Sequence, residues 1–306
     1  MARGRRRPLV VPLRRAQGRL SAPPDGPAVI LGVHASVRRG YDAALEEAVA
    51  LGCGSLQILP YRRHHDPSPE ELSAVNAARS AAKLQVLVHS RFVPSLASSD
   101  GACRSRSVEH LAKELSLASA LGADAYVIHG GAYSVDSDLE TGVRFFSESV
   151  IRAVEQSSCR IPLLLENVPG GGRRMGGALE DLARLHDALK PRLPGVGVCL
   201  DTAHAYAAGY DCSSAEGALR FVARAHRLLG FDAVRAFHLN DTRALLNSHR
   251  EHHEHWGKGR LGSEGLKALL DRSEFAGVPG ILETPKEGLA ADRANLDFAR
   301  GLAARP

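Results

Sequence analysis

Val196-Gly197-Val198-Cys199-Leu200-Asp201-Thr202-Ala203-His204 is the stretch on which the reading of this 306-residue chain turns. The apolar run 196–200, broken only by Gly197, predicts a strand buried on both faces. It ends on a carboxylate, and an imidazole follows three residues later. Asp201 is therefore expected at the strand's C-terminal end and His204 on the turn just past it. That spacing lets both side chains point into one pocket, toward the same ion or toward neighbouring ions. The same residues also suit a plainer arrangement, a buried Asp capping the next helix with a packed His beside it. The rest of the chain decides between them.

Working outward, short apolar runs recur at 28–33 before His34, 56–59, 84–88 before His89, 125–128 before His129, 161–165 before Glu166, 233–237 before His238 and 280–282 before Glu283. Helical spacing covers 41–51, 69–83, 108–121, 139–156, 179–189, 215–229, 263–270 and 289–303. Eight strand–helix units in alternation, with strands apolar enough for a parallel sheet covered on both faces, predict an α/β fold: a single (β/α)8 TIM barrel over residues 28–306. A doubly wound open sheet fits less well, because no GxGxxG turn follows the first strand.

Barrel enzymes carry their chemistry at the C-terminal ends of the strands. Those positions read His34, Leu59, His89, His129, Glu166, Asp201, His238 and Glu283, so seven of the eight are His, Asp or Glu. The loop after the seventh strand adds His249, Glu251, His252, His253, Glu254 and His255. Any one of these is more often a structural residue; their coincidence predicts a metal site. Imidazoles and carboxylates without cysteine suit Zn2+, with Mn2+ or Fe2+ as alternatives. The set exceeds what one ion needs, so a multinuclear centre is expected. Several carboxylates in one pocket would repel one another without cations, and the cations in turn could hold a phosphate on a barrel that is not basic.

The charge of +5 belongs to the N-terminus. Residues 1–27 hold seven of the 39 basic residues and one of the 34 acidic ones, a tail of +6; the remainder, 32 against 33, is −1. The tail is expected to be a basic, disordered extension, able at most to add sequence-independent phosphate contacts. The apolar fraction of 44% suits a globular chain with a sizeable core, and no apolar run approaches a membrane span. Five cysteines without a CxxC pair, and no signal peptide, predict free thiols and a cytoplasmic, non-membrane protein.

Gly32-Val33-His34-Ala35-Ser36, Leu165-Glu166-Asn167, Leu200-Asp201-Thr202-Ala203-His204-Ala205-Tyr206-Ala207-Ala208-Gly209-Tyr210-Asp211, His238-Leu239-Asn240-Asp241 and Leu282-Glu283-Thr284 together resemble the endonuclease IV family of apurinic/apyrimidinic endonucleases. The resemblance spans nearly the whole barrel. It implies a monomeric DNA-repair nuclease with three zinc ions, cutting the backbone of double-stranded DNA 5′ to abasic sites and leaving 3′-hydroxyl and 5′-deoxyribose phosphate ends. By position it implies that His89 and His129 hold one ion, bridged by Glu166 to a second ion on Asp201, His238 and Glu283, and that His204, Glu251 and His253 hold a third. Glu166, Asp201 and Glu283 are the implied catalytic carboxylates. Phe92, Arg62 and Arg63 are the implied DNA contacts, Phe92 standing where members place an aromatic that enters the helix at the lesion. His34 is similar to a family histidine near the site that is not a ligand.

The chain departs from the family in three places. Asp-Arg-His in the seventh loop reads Glu251-His252-His253, His-Pro-Gly after the fourth strand reads His129-Gly130-Gly131, and the Asn-Pro-Arg loop is replaced around Tyr61-Arg62-Arg63-His64-His65. Two other functions compete: a metal-dependent sugar isomerase or epimerase on the related barrel, which would need fewer ligands, and a degenerate barrel that binds damaged DNA without cutting it.

Overall fold

The computed structural model describes residues 29–62, 65–91 and 95–303. The Arg-rich segment, Arg63 and Phe92 lie outside the described residues. Seven strands, β1 (Ile30–His34), β2 (Ser55–Ile58), β3 (Gln85–His89), β4 (Ala125–His129), β5 (Leu163–Glu166), β6 (Gly197–Asp201) and β7 (Val234–His238), precede a small hairpin of β8 (Asp241–Thr242) and β9 (His253–Glu254) and a last strand, β10 (Pro279–Leu282). The eight long-range strands are parallel and close into a barrel in the order β1-β10-β7-β6-β5-β4-β3-β2. The ring is sealed where Ile30 pairs with Pro279 and Val33 with Leu282. The predicted barrel is the observed one.

Successive strand residues point to opposite faces, and the sequence uses the two faces differently. Val86, Val88, Tyr126, Ile128, Leu165, Val198, Leu200 and Leu282 point outward into one apolar core beneath the helices. Leu87, Ala125, Val127, Leu164, Cys199, Ala236 and Ile281 point inward and fill the barrel with a separate apolar plug. The inside is tight: a Cβ on Gly32 would lie 1.9 Å from the Ser55 carbonyl oxygen, so only glycine fits where β1 meets β2. Above the plug, at the C-terminal mouth, the inward positions turn polar. That change of chemistry along each strand is what positions the site.

The helices are α1 (Tyr41–Ala50), α2 (Pro69–Ala81), α3 (Gly101–Ala120), α4 (Leu139–Ser157), α5 (Leu179–Leu189), α6 (Thr202–Ala207), α7 (Ala215–Leu229), α8 (Glu264–Leu270) and α9 (Leu289–Ala303). Side-chain caps set several starts: Ser68 before α2, Asp138 before α4 and Ser214 before α7 each accept a backbone N–H of the first turn. Two boundaries differ from expectation. Helix α3 begins well ahead of residue 108, because Asp100 caps Ala102 and Cys103 and carries the helix through the polar run Arg104-Ser105-Arg106. His204 lies in a helix, α6, rather than on a turn. No helix among the described residues is long and apolar enough to cross a membrane, and the five cysteines are free.

Candidate metal centre

Each of the eight strands delivers one polar side chain to the mouth of the barrel: His34, Gln57, His89, His129, Glu166, Asp201, His238 and Glu283. Seven were expected. The second strand's contribution was not: it ends at Ile58 instead of Leu59, and the residue that enters the site is Gln57. Its signal was there to find, since an amide interrupts the apolar run Leu56-Gln57-Ile58-Leu59 at the inward-facing parity.

Glu166 is the hub, 1% exposed. Its Oε2 lies 2.9 Å from His89 Nε2 and 2.9 Å from His129 Nε2. Its Oε1 lies 2.9 Å from His238 Nδ1 and 3.2 Å from His204 Nδ1. Four overlapping groups have ligand atoms close enough together to hold an ion: His89, Glu166 and His238; His129, Glu166 and His204; Glu166, Asp201, His238 and Glu283; and Asp201, His204 and His253. Glu251 adds its carboxylate 3.6 Å from His204 Nε2, with its side chain 57% exposed. The structure thus brings the nine sequence-derived ligand candidates together at the mouth of the barrel, eight of them in the four groups and Glu251 beside His204.

The local structure explains how they are aimed. Asp201 ends β6 and caps α6: its Oδ1 accepts the His204 N–H at 2.6 Å. The cap of the plainer reading is therefore present, and it is compatible with the metal reading, because Oδ1 caps while Oδ2 faces His253 Nε2 at 3.7 Å. Asn167 clasps β5 to β6 by donating to the Asp201 carbonyl and accepting its N–H, at 3.0 and 2.7 Å. Asn240 donates to Asp201 Oδ2 at 2.6 Å and accepts the Glu283 N–H at 2.7 Å. Both asparagines belong to the motifs of the sequence reading, but their place in the site was not legible there. The seventh loop is pinned from below by Asp241, whose buried carboxylate accepts the N–H groups of Thr242, Gly257, Gly259 and Leu261.

Three imidazoles donate one ring N–H to a carbonyl, which can only accept: His89 Nδ1 to Ser90, His204 Nδ1 to Asn167 and His253 Nδ1 to Glu283. This is the outer-shell pattern that turns the other ring nitrogen into a ligand. The Nε2 atoms of His204 and His253 are buried and have no hydrogen-bond partner, on rings whose centroids are 5.4 Å apart. Orphaned imidazole nitrogens are costly in a protein interior, and a shared cation satisfies both.

The electrostatics carry the same message. Burial works against charge on Glu166, but the imidazoles of His238 and His129 outweigh it and hold the carboxyl well below its usual range. Glu283 is likewise opposed by burial yet drawn down to about 2, chiefly by His238. Burial depresses His204 and His238, but Asp201 beside the first, and Cys199 and Glu166 beside the second, bring both above the ordinary range. The His204 imidazole beside it takes Glu251 down to about 2. The pocket is thus an array of carboxylates that demands positive charge, which divalent cations supply more fully than protons. The donor set is imidazole and carboxylate, which suits zinc and related ions. By shape and chemistry this is a candidate multi-metal site.

Of the expected DNA contacts, only Arg62 falls among the described residues. It lies on the connection from β2 to α2, 3.0 Å from Glu71 and beside Tyr61, His65, Asp66 and Lys113.

Comparison with known proteins follows the geometry. Residues 45–302 match the family model described as xylose isomerase-like TIM barrel. A protein named "Probable endonuclease 4" from Nitratidesulfovibrio vulgaris (strain Hildenborough) is 36% identical over 280 residues, covering 90% of this chain and 99% of its own. The crystal structure of endonuclease IV from Thermus thermophilus superposes with a TM-score of 0.76 at 33% identity, over 89% of this chain and 98% of that one. A D-tagatose 3-epimerase-like protein superposes with a TM-score of 0.65 at 16% identity, over 89% of this chain and 98% of that one, a likeness of fold alone.

Proposed function

The chain belongs to the endonuclease IV family, within the xylose isomerase-like TIM barrels, and from that premise we propose that it is a zinc-dependent DNA-repair endonuclease. It hydrolyses the phosphodiester 5′ to abasic sites in double-stranded DNA, leaving a 3′-hydroxyl and a 5′-deoxyribose phosphate. The observation that carries this reading is the Glu166 carboxylate, buried among four imidazoles with two at each oxygen. A bridge of this kind suits adjacent ions better than a single one.

His89, His129 and Glu166 would hold one ion; Glu166, Asp201, His238 and Glu283 a second; His204, Glu251 and His253 a third. Zinc ions so held supply Lewis-acid charge and a nucleophile at neutral pH. The chain's own part is positioning. Carbonyls of Ser90, Asn167 and Glu283 fix the protons of three imidazoles on Nδ1. Asn240 ties Asp201 to Glu283 by donating to both carboxylates and accepting the Glu283 N–H. The apolar plug beneath closes the barrel to water from the opposite end. Arg62, Arg63 and Phe92 are assigned to the duplex, the first two to phosphates and the third to the helix at the lesion.

The test is incubation with a duplex carrying one tetrahydrofuran abasic analogue. Incision is expected 5′ to the analogue without added Mg2+, because a site this dense in protein ligands keeps its own ions, unlike Mg2+, which retains most of its waters. Activity only with millimolar Mg2+, products of β-elimination, or epimerisation of a ketose without incision would overturn the assignment.

A further inference from the structure

The mouth of the barrel has eight strands but only seven titratable side chains, and the eighth position is Gln57, fully buried. Its amide makes three contacts. Nε2 lies 2.6 Å from Glu283 Oε1 and 3.0 Å from His34 Nδ1, and Oε1 lies 2.8 Å from His238 Nε2. One charge sets the orientation of the whole group. A carboxylate only accepts, so the nitrogen of the Gln57 amide must face Glu283. The amide oxygen must then face His238, and it too only accepts, so His238 carries its proton on Nε2. When the ring is neutral, as a metal ligand must be, its lone pair is then on Nδ1, the atom that lies 2.9 Å from Glu166 Oε1 and 3.3 Å from Glu283 Oε2. The second amide hydrogen goes to His34 Nδ1, which leaves that ring's proton on Nε2, away from the cluster. Glu283 has Oε1 engaged by Gln57, and its Oε2 lies 3.3 Å from both Asn240 Nδ2 and His238 Nδ1.

We infer that Gln57 is a positioning residue for the metal centre: it selects the tautomer of His238 and the rotamer of Glu283, and so prepares two of the four ligands of the Glu166–Asp201–His238–Glu283 group. The inference rests on the metal reading of the site given above. No carboxylate could replace it without losing both donations, and no aliphatic side chain could replace either half. The side-chain amide donates to the glutamate from its nitrogen and accepts from the histidine on its oxygen at once.

The experiment compares Gln57→Leu and Gln57→Glu with the unaltered full chain, loaded with zinc or cobalt. Zinc affinity is read by competition with a chromophoric chelator, coordination by the visible absorption of the cobalt form, and folding by urea unfolding of the metal-free protein. Gln57→Leu should weaken one bound ion by about 10–100-fold, the usual cost of losing an outer-shell partner, and shift the cobalt bands. In the incision assay it should lower kcat with KM little changed. Gln57→Glu keeps an acceptor for His238 and loses the donation to Glu283, so its affinity should fall between the other two. Should Gln57→Leu not fold, an affinity for Gln57→Glu equal to the unaltered chain's overturns the inference by itself. Unchanged affinities and an unchanged cobalt spectrum in both variants also overturn it while leaving the metal site standing. An unaltered chain that retains no zinc would instead remove the metal reading, and the role of Gln57 with it.

Discussion

Glu166 carries more of this site than any other residue, because both its oxygens are shared between imidazoles. Glu166→Gln keeps the volume but removes the charge that, on the proposed function, would keep two neighbouring cations together. It should abolish incision and lower bound metal more than any other single carboxylate change, as measured by atomic emission on protein dialysed against metal-free buffer. A full complement of ions in this variant would end the bridging role. Glu251 is a different case. It stands where the family has Asp, its side chain more than half exposed, yet it faces His204 Nε2, an atom that is buried and without a hydrogen-bond partner. A loop can absorb the extra methylene more easily than a strand end can. Glu251→Ala should therefore lower kcat sharply and release about one ion per chain while the Glu166-bridged pair stays, whereas Glu251→Asp should keep much of the activity. Single-turnover incision and zinc per chain test both together; an alanine variant unchanged in both measures would show that another residue completes the third group.

The elements were legible to different degrees, and the differences have physical causes. The eight strands could be read because strands covered on both faces must be apolar throughout, and the site could be read because the polar residue ending each run breaks that rule. Gln57 escaped because it sits one pleat before the last apolar residue of its run, where a strand end set at Leu59 hides it. The early start of α3 escaped because its first turns make no apolar stripe and are held by a cap and by Arg104, whose guanidinium lies 4.0 Å from the centroid of the Phe145 ring. Asp241 was quoted only as part of a motif, since nothing in a sequence distinguishes a carboxylate that binds an ion from one that binds backbone. Here the carboxylate meets four N–H groups and fastens the excursion between β7 and α8, on which His253 and Glu251 ride. Asp241→Ala leaves those donors without an acceptor, at about 1–3 kcal/mol for each that stays buried. The expected result is protease cleavage within 242–260 and loss of the ion on His204, Glu251 and His253, with the Glu166-bridged ions retained. Mass spectrometry of the fragments, alongside metal analysis, checks it; a loop that resists protease and keeps its ion would mean the β8–β9 hairpin suffices.

At the scale of the whole molecule, charge and chemistry are separate. The basic excess belongs to residues 1–27, while the remaining chain is close to neutral and, on the proposed function, would draw its positive potential from bound cations. Removing residues 1–27 should leave specific incision nearly unchanged at physiological salt and flatten the salt dependence of binding to undamaged DNA, since each arginine–phosphate contact is sequence-independent and screened. A titration of log Kd against log salt for both forms measures this, and lost folding or lost incision would show that the segment belongs to the structure. The closure of the barrel has a consequence in time. The seam joins Ile30 of the first strand to Pro279 of the last, and Glu283 follows directly after that last strand. A ribosome therefore releases the earliest strand long before its partner, and the ligand set is completed only by one of the last segments to be made. On the proposed function, metal capture by the full bridged group would require that synthesis has passed residue 283. A chain that stops before residue 279 lacks both the strand that closes the ring and the carboxylate that follows it, so on the proposed function it should show no incision.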